Sequence, residues 1–544
     1  MSHSRPLSSS KYRLVSWTSW IVIVALNVLV LGCGSDRTPT PLPESSATKN
    51  AQQTDPAAAD SASDSESRLA YIKRVQPRVQ RFCGDCHAMP LPSSSPHDEW
   101  EHEVNQGFML YGMSGRSDLE VPPYDEVLNY FQYQAPDQLS IPGSIAGYAK
   151  SKHLFKPQAI RLSGNRPPGT THIDWIDLGF GGGPALVYCD IGTGAVKACW
   201  PNSDNPVTKQ LGVLFQPVHV EPCDLDQDGS MDLLACDIGE FDADDSHIGR
   251  LVWLRQDPPS HRFDRIELQT GLSRIADARP GDFDGDGDTD LLVAEFGWRK
   301  SGQIKLLENL GWQDDEKTST SPQWKTHPID PRHGTIHVPP IDIDHDGDLD
   351  FVALISQEHE TVEVFLNQGG LQFEKQVLWQ APDPAYGSSG IELVDLDGDG
   401  DSDVLMSNGD SFDRGPKQYH SVQWLENPGK FPWVHHHLCD LPGVMSARSI
   451  DVDGDGDLDI VAAALLAGPT SERLQSSELP SILILEQRSD GLFEVTRGEN
   501  SAHYHATLET GDFNGDGKVD FATGNLLREP GKTEADVVIW WNQR

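Results

Sequence analysis

Basic residues are scarce in this chain: 42 Lys and Arg stand against 83 Asp and Glu, for a formal net charge of −41. That balance excludes a nucleic-acid partner, because phosphate binding needs a basic face and no stretch supplies one. Cysteine is rare as well, eight in 544 residues, so each can be considered singly. Long apolar runs are missing. The nearest approach, Ile21–Leu31, is short for a membrane span. There is no GxSxG, no HExxH and no P-loop, and the chemistries those signatures carry drop out with them.

What the chain does have is aspartate at alternate positions. Asp451-Val-Asp-Gly-Asp-Gly-Asp-Leu-Asp459 runs into an apolar strand, and the pattern recurs at Asp224–Asp232, Asp282–Asp290, Asp342–Asp350, Asp395–Asp403 and Asp512–Asp520, the last with Asn514 at position 3. Six starts lie 53 to 61 residues apart, which marks a repeat architecture. Position 6 is glycine every time and position 9 aspartate every time. Such loops suit a hard cation with oxygen ligands, and Ca²⁺ is the usual one. An EF-hand needs a carboxylate at position 12. Here that position holds Ala235, Val293, Ala353, Met406, Ala462 and Thr523, so EF-hands are rejected. Up to six Ca²⁺ are expected. The ligands read from the pattern are Asp224, Asp226, Asp228 and Asp232; Asp282, Asp284, Asp286 and Asp290; Asp342, Asp344, Asp346 and Asp350; Asp395, Asp397, Asp399 and Asp403; Asp451, Asp453, Asp455 and Asp459; and Asp512, Asn514, Asp516 and Asp520.

These loops resemble FG-GAP or VCBS repeats, as found in bacterial surface proteins and integrin heads. The resemblance implies a β-propeller with one repeat per blade and the acidic loop between its two innermost strands. Each repeat reads as four strands, for example 335–338, 351–355, 362–367 and 373–378, the third ending in a hydrophobic-Asn pair. A repeat without an acidic loop, 171–198, precedes the six, so seven blades are expected, with no calcium in the first. The chain ends after the third strand of the last repeat. Leu154–Leu162 is expected to supply the missing outer strand and so cover an edge.

Upstream lies Cys83-Gly-Asp-Cys86-His87, the attachment motif for one haem c. Two thiols add to the haem vinyl groups and the imidazole binds iron. From this composition roughly 0.004 chance occurrences are expected. No second Cys or His pair lies close enough for a zinc site. Candidate sixth ligands are Met89, His97, His102, Met109 and Met113. The stretch 83–109 resembles short cytochrome modules that precede VCBS propellers, and that resemblance implies Met109 as the ligand, with Met113 second. Core packing is the competing role for either methionine.

The fold class expected is mainly β: a seven-bladed propeller preceded by a small α-helical cytochrome c-like domain. The segments are a signal peptide at 1–33, a disordered linker at 34–66, the haem domain at 67–135, a connector at 136–151 and the propeller at 152–544. Pro77 is expected to kink or break the first helix. Basic Arg5, Lys11 and Arg13 precede the apolar run, as in an export signal. Val30-Leu-Gly-Cys33 resembles a bacterial lipobox, which implies lipidation of Cys33. Gly34 fits outer-membrane sorting by the same resemblance, and the location implied is periplasmic or cell-surface, with the lipid as the membrane contact. In an oxidising compartment Cys189–Cys199 and Cys223–Cys236 are candidate disulfides.

The polar face opposite the acidic loops is expected to present Glu295, Trp298, Arg299, His333, His337, Asp413, Arg414, His420, His503 and His505. No catalytic constellation stands out among them. The expected function is one-electron transfer with the propeller as a binding platform, monomeric, for a redox partner protein or a polysaccharide or surface ligand. The alternatives are a carbohydrate-active enzyme and a non-catalytic adhesion protein.

Overall fold

The computed structural model describes residues 56–161, 166–201, 206–312, 321–412, 415–466, 479–488, 491–500, 503–527 and 534–544. The expected signal peptide and Cys33 lie outside the described residues. So does the expected linker up to residue 55.

Helix α1 (Pro56–Cys83) begins within the stretch expected to be disordered and passes through Pro77 without a break. Packing outweighs the proline's lost N–H: Val75 and Val79, on either side of it, are fully buried. Helix α2 (Trp100–Ser114) ends at Gly115, whose φ of 71° is the left-handed stop that glycine adopts most easily. Helix α3 (Tyr124–Gln132) follows Pro123. The three meet in a small core of Val75, Val79, Trp100, Val104, Val127, Tyr130 and Phe131. Among the described residues no helix is long and apolar enough to cross a membrane.

Seven sheets follow in chain order, antiparallel throughout except that Ala149–Lys150 adds to the outer edge of blade 6 in parallel. Blade 1 comprises Thr170–Ile176, Ala185–Asp190, Ala195–Trp200 and Val207–Val213. Blade 2 comprises Pro217–Cys223, Asp232–Asp237, Gly249–Asp257 and Arg262–Leu272. Blade 3 comprises Ile275–Gly281, Asp290–Glu295, Gln303–Asn309 and Trp324–Asp330. Blade 4 has a first strand split at Val338-Pro339, then Asp350–Ile355, Thr361–Asn367 and Phe373–Gln380. Blade 5 comprises Ser388–Val394, Asp403–Asn408, Ser421–Glu426 and Val434–Asp440. Blade 6 comprises Val444–Ile450, Asp459–Ala464, Ile482–Gln487 and Phe493–Glu499. Blade 7 comprises His505–Gly511, Asp520–Asn525 and Val537–Asn542. Every second strand is buried along its whole length, polar ends included, whereas the fourth strands alternate between buried and exposed.

A recurrent clamp explains two features of the repeat. The position-9 aspartate accepts a main-chain N–H at the end of the third strand, from Gln256, Asn309, Asn367, Asn427, Gln487 and Asn542 in turn, at 2.6–2.8 Å. In blades 3 to 7 its other oxygen accepts the amide of loop position 2. The Asn or Gln side chain also reaches back to the preceding blade: Gln256 to Leu178 O, Asn367 to Phe283 O, Gln487 to Leu396 O and Asn542 to Val452 O. One residue pair thus fixes a hairpin and a blade interface together.

The missing strand of blade 7 is Phe155–Ile160, paired antiparallel with Asn542–Val537. Pro157 is tolerated because this strand lies at the sheet edge. Removing residues 152–161 is expected to leave 537–542 as a bare apolar edge and to drive self-association. Light scattering checks this, and a shortened chain that stays monomeric and equally stable would refute it.

Neither expected disulfide forms. All seven described cysteines are free. The sheet register is the reason: Cys189 faces Val196 while Cys199 faces Leu186. Cys223 faces Asp232 while Cys236 faces His219, at opposite ends of one hairpin.

Candidate functional site

The helical segment docks on the face opposite the acidic loops. Leu91 N donates to Asp383 Oδ2 at 2.7 Å and Lys417 Nζ to Ser94 O at 3.0 Å. Between the two lies a cavity of about 1860 Å³, larger than the 300–1,000 Å³ usual for small-ligand pockets. Its helical wall carries Phe82, Cys83, Cys86, His87, His102, Phe108, Tyr111 and Met113. Its floor carries His172, His219, Arg279, Trp298, Arg299, His337, Glu358 and Arg448 from the propeller.

The cysteine–histidine motif begins at the last residue of α1, and the backbone turns at once, Gly84 N donating to Gln80 O. Burial pushes the Cys83 thiol up to about 12. Arg116 reaches Cys86 Sγ at 3.0 Å and spans Asp85 and Asp118. His87 Nδ1 lies 2.7 Å from Ala88 O. A carbonyl only accepts, so Nδ1 carries the hydrogen and Nε2 the lone pair. That is the arrangement of a ligating histidine whose other nitrogen is held by a carbonyl. The residues present therefore fit a covalently attached haem: two thiols, an oriented imidazole, aromatic walls and ample volume. Met113 and His102 line the cavity. Met109 is half exposed and lies off its wall. Met89 packs against the helical core, and His97 contacts Asp98.

The floor is a network that the motif search missed. His172 and His219, the third residues of two successive first strands, have ring centroids 4.2 Å apart. His219 Nε2 lies 2.8 Å from Glu221 and 2.9 Å from Asp277. Arg279 bonds Asp277 and Glu221, and His337 lies 3.7 Å from Asp277. Burial alone would pull His219 down, but the facing carboxylates hold it up at about 9. Burial, then the charges of His219 and Arg279, push His172 well below the usual histidine value. The two imidazoles are thus driven in opposite directions, His219 toward the cation and His172 toward the neutral ring. The signal was present: positions 3 and 5 of every first strand share one face.

Of the residues expected on this face, Trp298, Arg299 and His337 line the cavity. Asp413 and Arg414 lie outside the described residues. Glu295, His420, His503 and His505 are buried in structural roles: Glu295 pairs with Lys305 at 2.8 Å, His420 accepts from Gly443 N, His503 bonds Leu479 O and His505 bonds Asn525.

On the opposite face, one carboxylate oxygen from each of positions 1, 3 and 9 converges within 4.8 Å in the first three loops: Asp224, Asp226 and Asp232; Asp282, Asp284 and Asp290; Asp342, Asp344 and Asp350. Position 5 is turned to accept the amide two residues on, as Asp228 does from Ser230, Asp286 from Asp288, Asp346 from Asp348, Asp399 from Asp401, Asp455 from Asp457 and Asp516 from Lys518. Asp226 Oδ1, Asp342 Oδ1, Asp453 Oδ1 and Asp457 Oδ1 are buried without a hydrogen-bond partner. Burial, with the neighbouring carboxylates adding to it, pushes Asp232, Asp290, Asp403 and Asp520 up to about 6 and Asp459 to about 7. Orphaned oxygens in a negative field fit a hard cation.

The chain matches the family described as FG-GAP-like repeat over residues 224–293, 282–353 and 342–406. No curated protein matches it. Among solved structures, BBS1N in complex with ARL6DN, from crystals soaked with mercury and with lead, is similar at 12% and 13% identity with TM-scores of 0.42 and 0.40. Each alignment covers 73% of this chain and 98% of that one. The chain is a mainly β, seven-bladed propeller that carries FG-GAP-like repeats over residues 224–406, with a few helices ahead of it.

Proposed function

We propose that this is an exported one-electron transfer protein, lipid-anchored through Cys33, with one haem c on Cys83, Cys86 and His87 and up to six Ca²⁺ bracing the propeller. The observation that carries the reading is that the cysteine–histidine motif and the polar floor of the propeller open onto one cavity. A bound haem would supply one-electron chemistry between its two iron states. The chain's own part is to tether, orient and enclose. Ala88 O fixes the His87 tautomer, Phe82, Phe108 and Tyr111 form a tight aromatic cluster on the wall, and Met113 or His102 is offered for the sixth position. The floor, with Arg279, Arg299 and Arg448, is the platform for a redox partner protein or a polysaccharide or surface ligand.

Expression with a cytochrome c maturation system is expected to give sharp dithionite-reduced bands that survive denaturation and vanish in C83A/C86A. A far-red sulfur-to-iron band lost in M113A but kept in M109A would identify the thioether. Absence of any haem band would refute the reading. The split imidazole pair on the floor favours a second reading, an oxidising enzyme. Sugar added in place of dithionite would then reduce the haem.

A further inference from the structure

We propose that His333, Glu358 and His359 form a divalent transition-metal site of the zinc class at the edge of the cavity. One donor atom from each lies within 4.8 Å of the other two. His333 Nε2 is 3.0 Å from Glu358 Oε1, and the two imidazole centroids are 5.2 Å apart. His359 Nε2 is buried and has no hydrogen-bond partner. A buried ring nitrogen left unpaired calls for a missing partner. Two imidazoles and one carboxylate suit zinc, and three protein ligands leave a position for water or substrate. Calcium wants six to eight oxygens and is a poor match.

The two loops that carry these side chains are tied together. Ser356 N donates to Gly334 O and Gly334 N to Phe296 O, both at 2.8 Å. Gly334 has a φ of 94°, and a Cβ there would meet Ser356 O at 2.7 Å, so only glycine permits the approach. Gly302 likewise clears space for His333, whose Cβ would lie 2.6 Å from an added one. Gln357, with a φ of 57°, turns the chain so that Glu358 and His359 follow on the His333 side. Of the three, Glu358 lines the cavity that Cys86 and His87 also line, while His333 and His359 lie off its wall, so the site sits at the cavity's edge.

The axial cluster offers the same residue types in His172, His219 and Glu221. There Arg279 already bonds Glu221 and Asp277, and a guanidinium occupies the charge a metal would need. No such cation bonds Glu358 among the described residues.

The test is calorimetric titration of Zn²⁺ into the full-length protein saturated with Ca²⁺, so that the acidic loops are already filled. One saturable event is expected, weakened at least about tenfold in H333A and in H359A and unchanged in H172A. E358Q keeps the shape of the side chain and is expected to weaken zinc as well, which covers the case in which an alanine variant fails to fold. Zinc binding at wild-type strength in E358Q and H359A would overturn the proposal. Loss in H172A in place of H333A would overturn it too and move the site to the axis. Haem content is read on the same samples, so failure of this site is distinguishable from failure of the haem reading.

Discussion

If the proposed Ca²⁺ ions fill the acidic loops, their removal with EGTA is expected to collapse the thermal stability of the propeller. Each ion that binds only the folded state contributes about 2.7 kcal/mol at a hundredfold excess over its dissociation constant, so six contribute about 16 kcal/mol. Total stability is typically about 5–15 kcal/mol, so the apoprotein is expected to be unfolded or to melt tens of degrees lower. The structure gives the reason for so large an effect. The position-9 aspartate is fully buried in five of the six loops and nearly so in the sixth, Asp290, and it holds the end of the third strand in every one. With no cation, its burial and then the carboxylates it faces oppose its ionisation. Losing that charge weakens the clamp, and the Asn or Gln beside it also holds the neighbouring blade. Scanning calorimetry with and without EGTA, followed by return of Ca²⁺ or Mg²⁺, reads this directly. Recovery with Ca²⁺ alone is expected, because Mg²⁺ demands a smaller octahedral shell and gives up its water reluctantly. An unchanged melting temperature would mean that hydrogen bonds alone hold the loops.

The propeller was legible because its signals are local. The Asp loop, the buried strand after it and the Asn that closes the third strand fall at fixed offsets within one repeat, and Asn367 does in space what its recurrence announces. The closing strand was legible from a shortage, a last repeat one strand too short. What failed to show depends on register or on ring closure. Cys223 and Cys236 are close in sequence yet sit at opposite ends of a hairpin. His172 and His219 are each legible as the third residue of a first strand, but that they meet depends on neighbouring first strands lining the ring. His420 and His505, expected on the polar face, are fully buried, since a histidine beside main-chain groups that need a partner serves packing as well as surface. Pro77 does not bring the break it could have signalled: a helix buried on both sides of a proline keeps going.

Trp100→Ala is expected to unfold the helical segment and leave the propeller standing. Trp100 is 3% exposed, stacks on Phe131 at 4.0 Å and donates to Pro92 O and Ser95 O. Truncating so large a buried side chain costs about 3–5 kcal/mol. A core of seven buried residues has little to spare, because so small a domain rarely holds more than about 3–5 kcal/mol in all. The loss propagates to the docking contact. The indole fixes the turn around 92–95, and that turn presents Leu91 N to Asp383 and Ser94 O to Lys417. The propeller's seven sheets share none of this core. Limited proteolysis is therefore expected to cut the variant within residues 68–135, while the propeller's own melting transition stays in place. Trp100→Phe keeps the stack but not the N–H and should fall between. A haem covalently attached at Cys83 and Cys86 would stay on the chain but lose its sixth ligand, so the reduced spectrum should turn high-spin. If Trp100→Ala resists protease as the wild type does, the docking on blade 5 and not the small core is what holds the segment, and the cavity above the propeller owes its shape to Asp383 and Lys417.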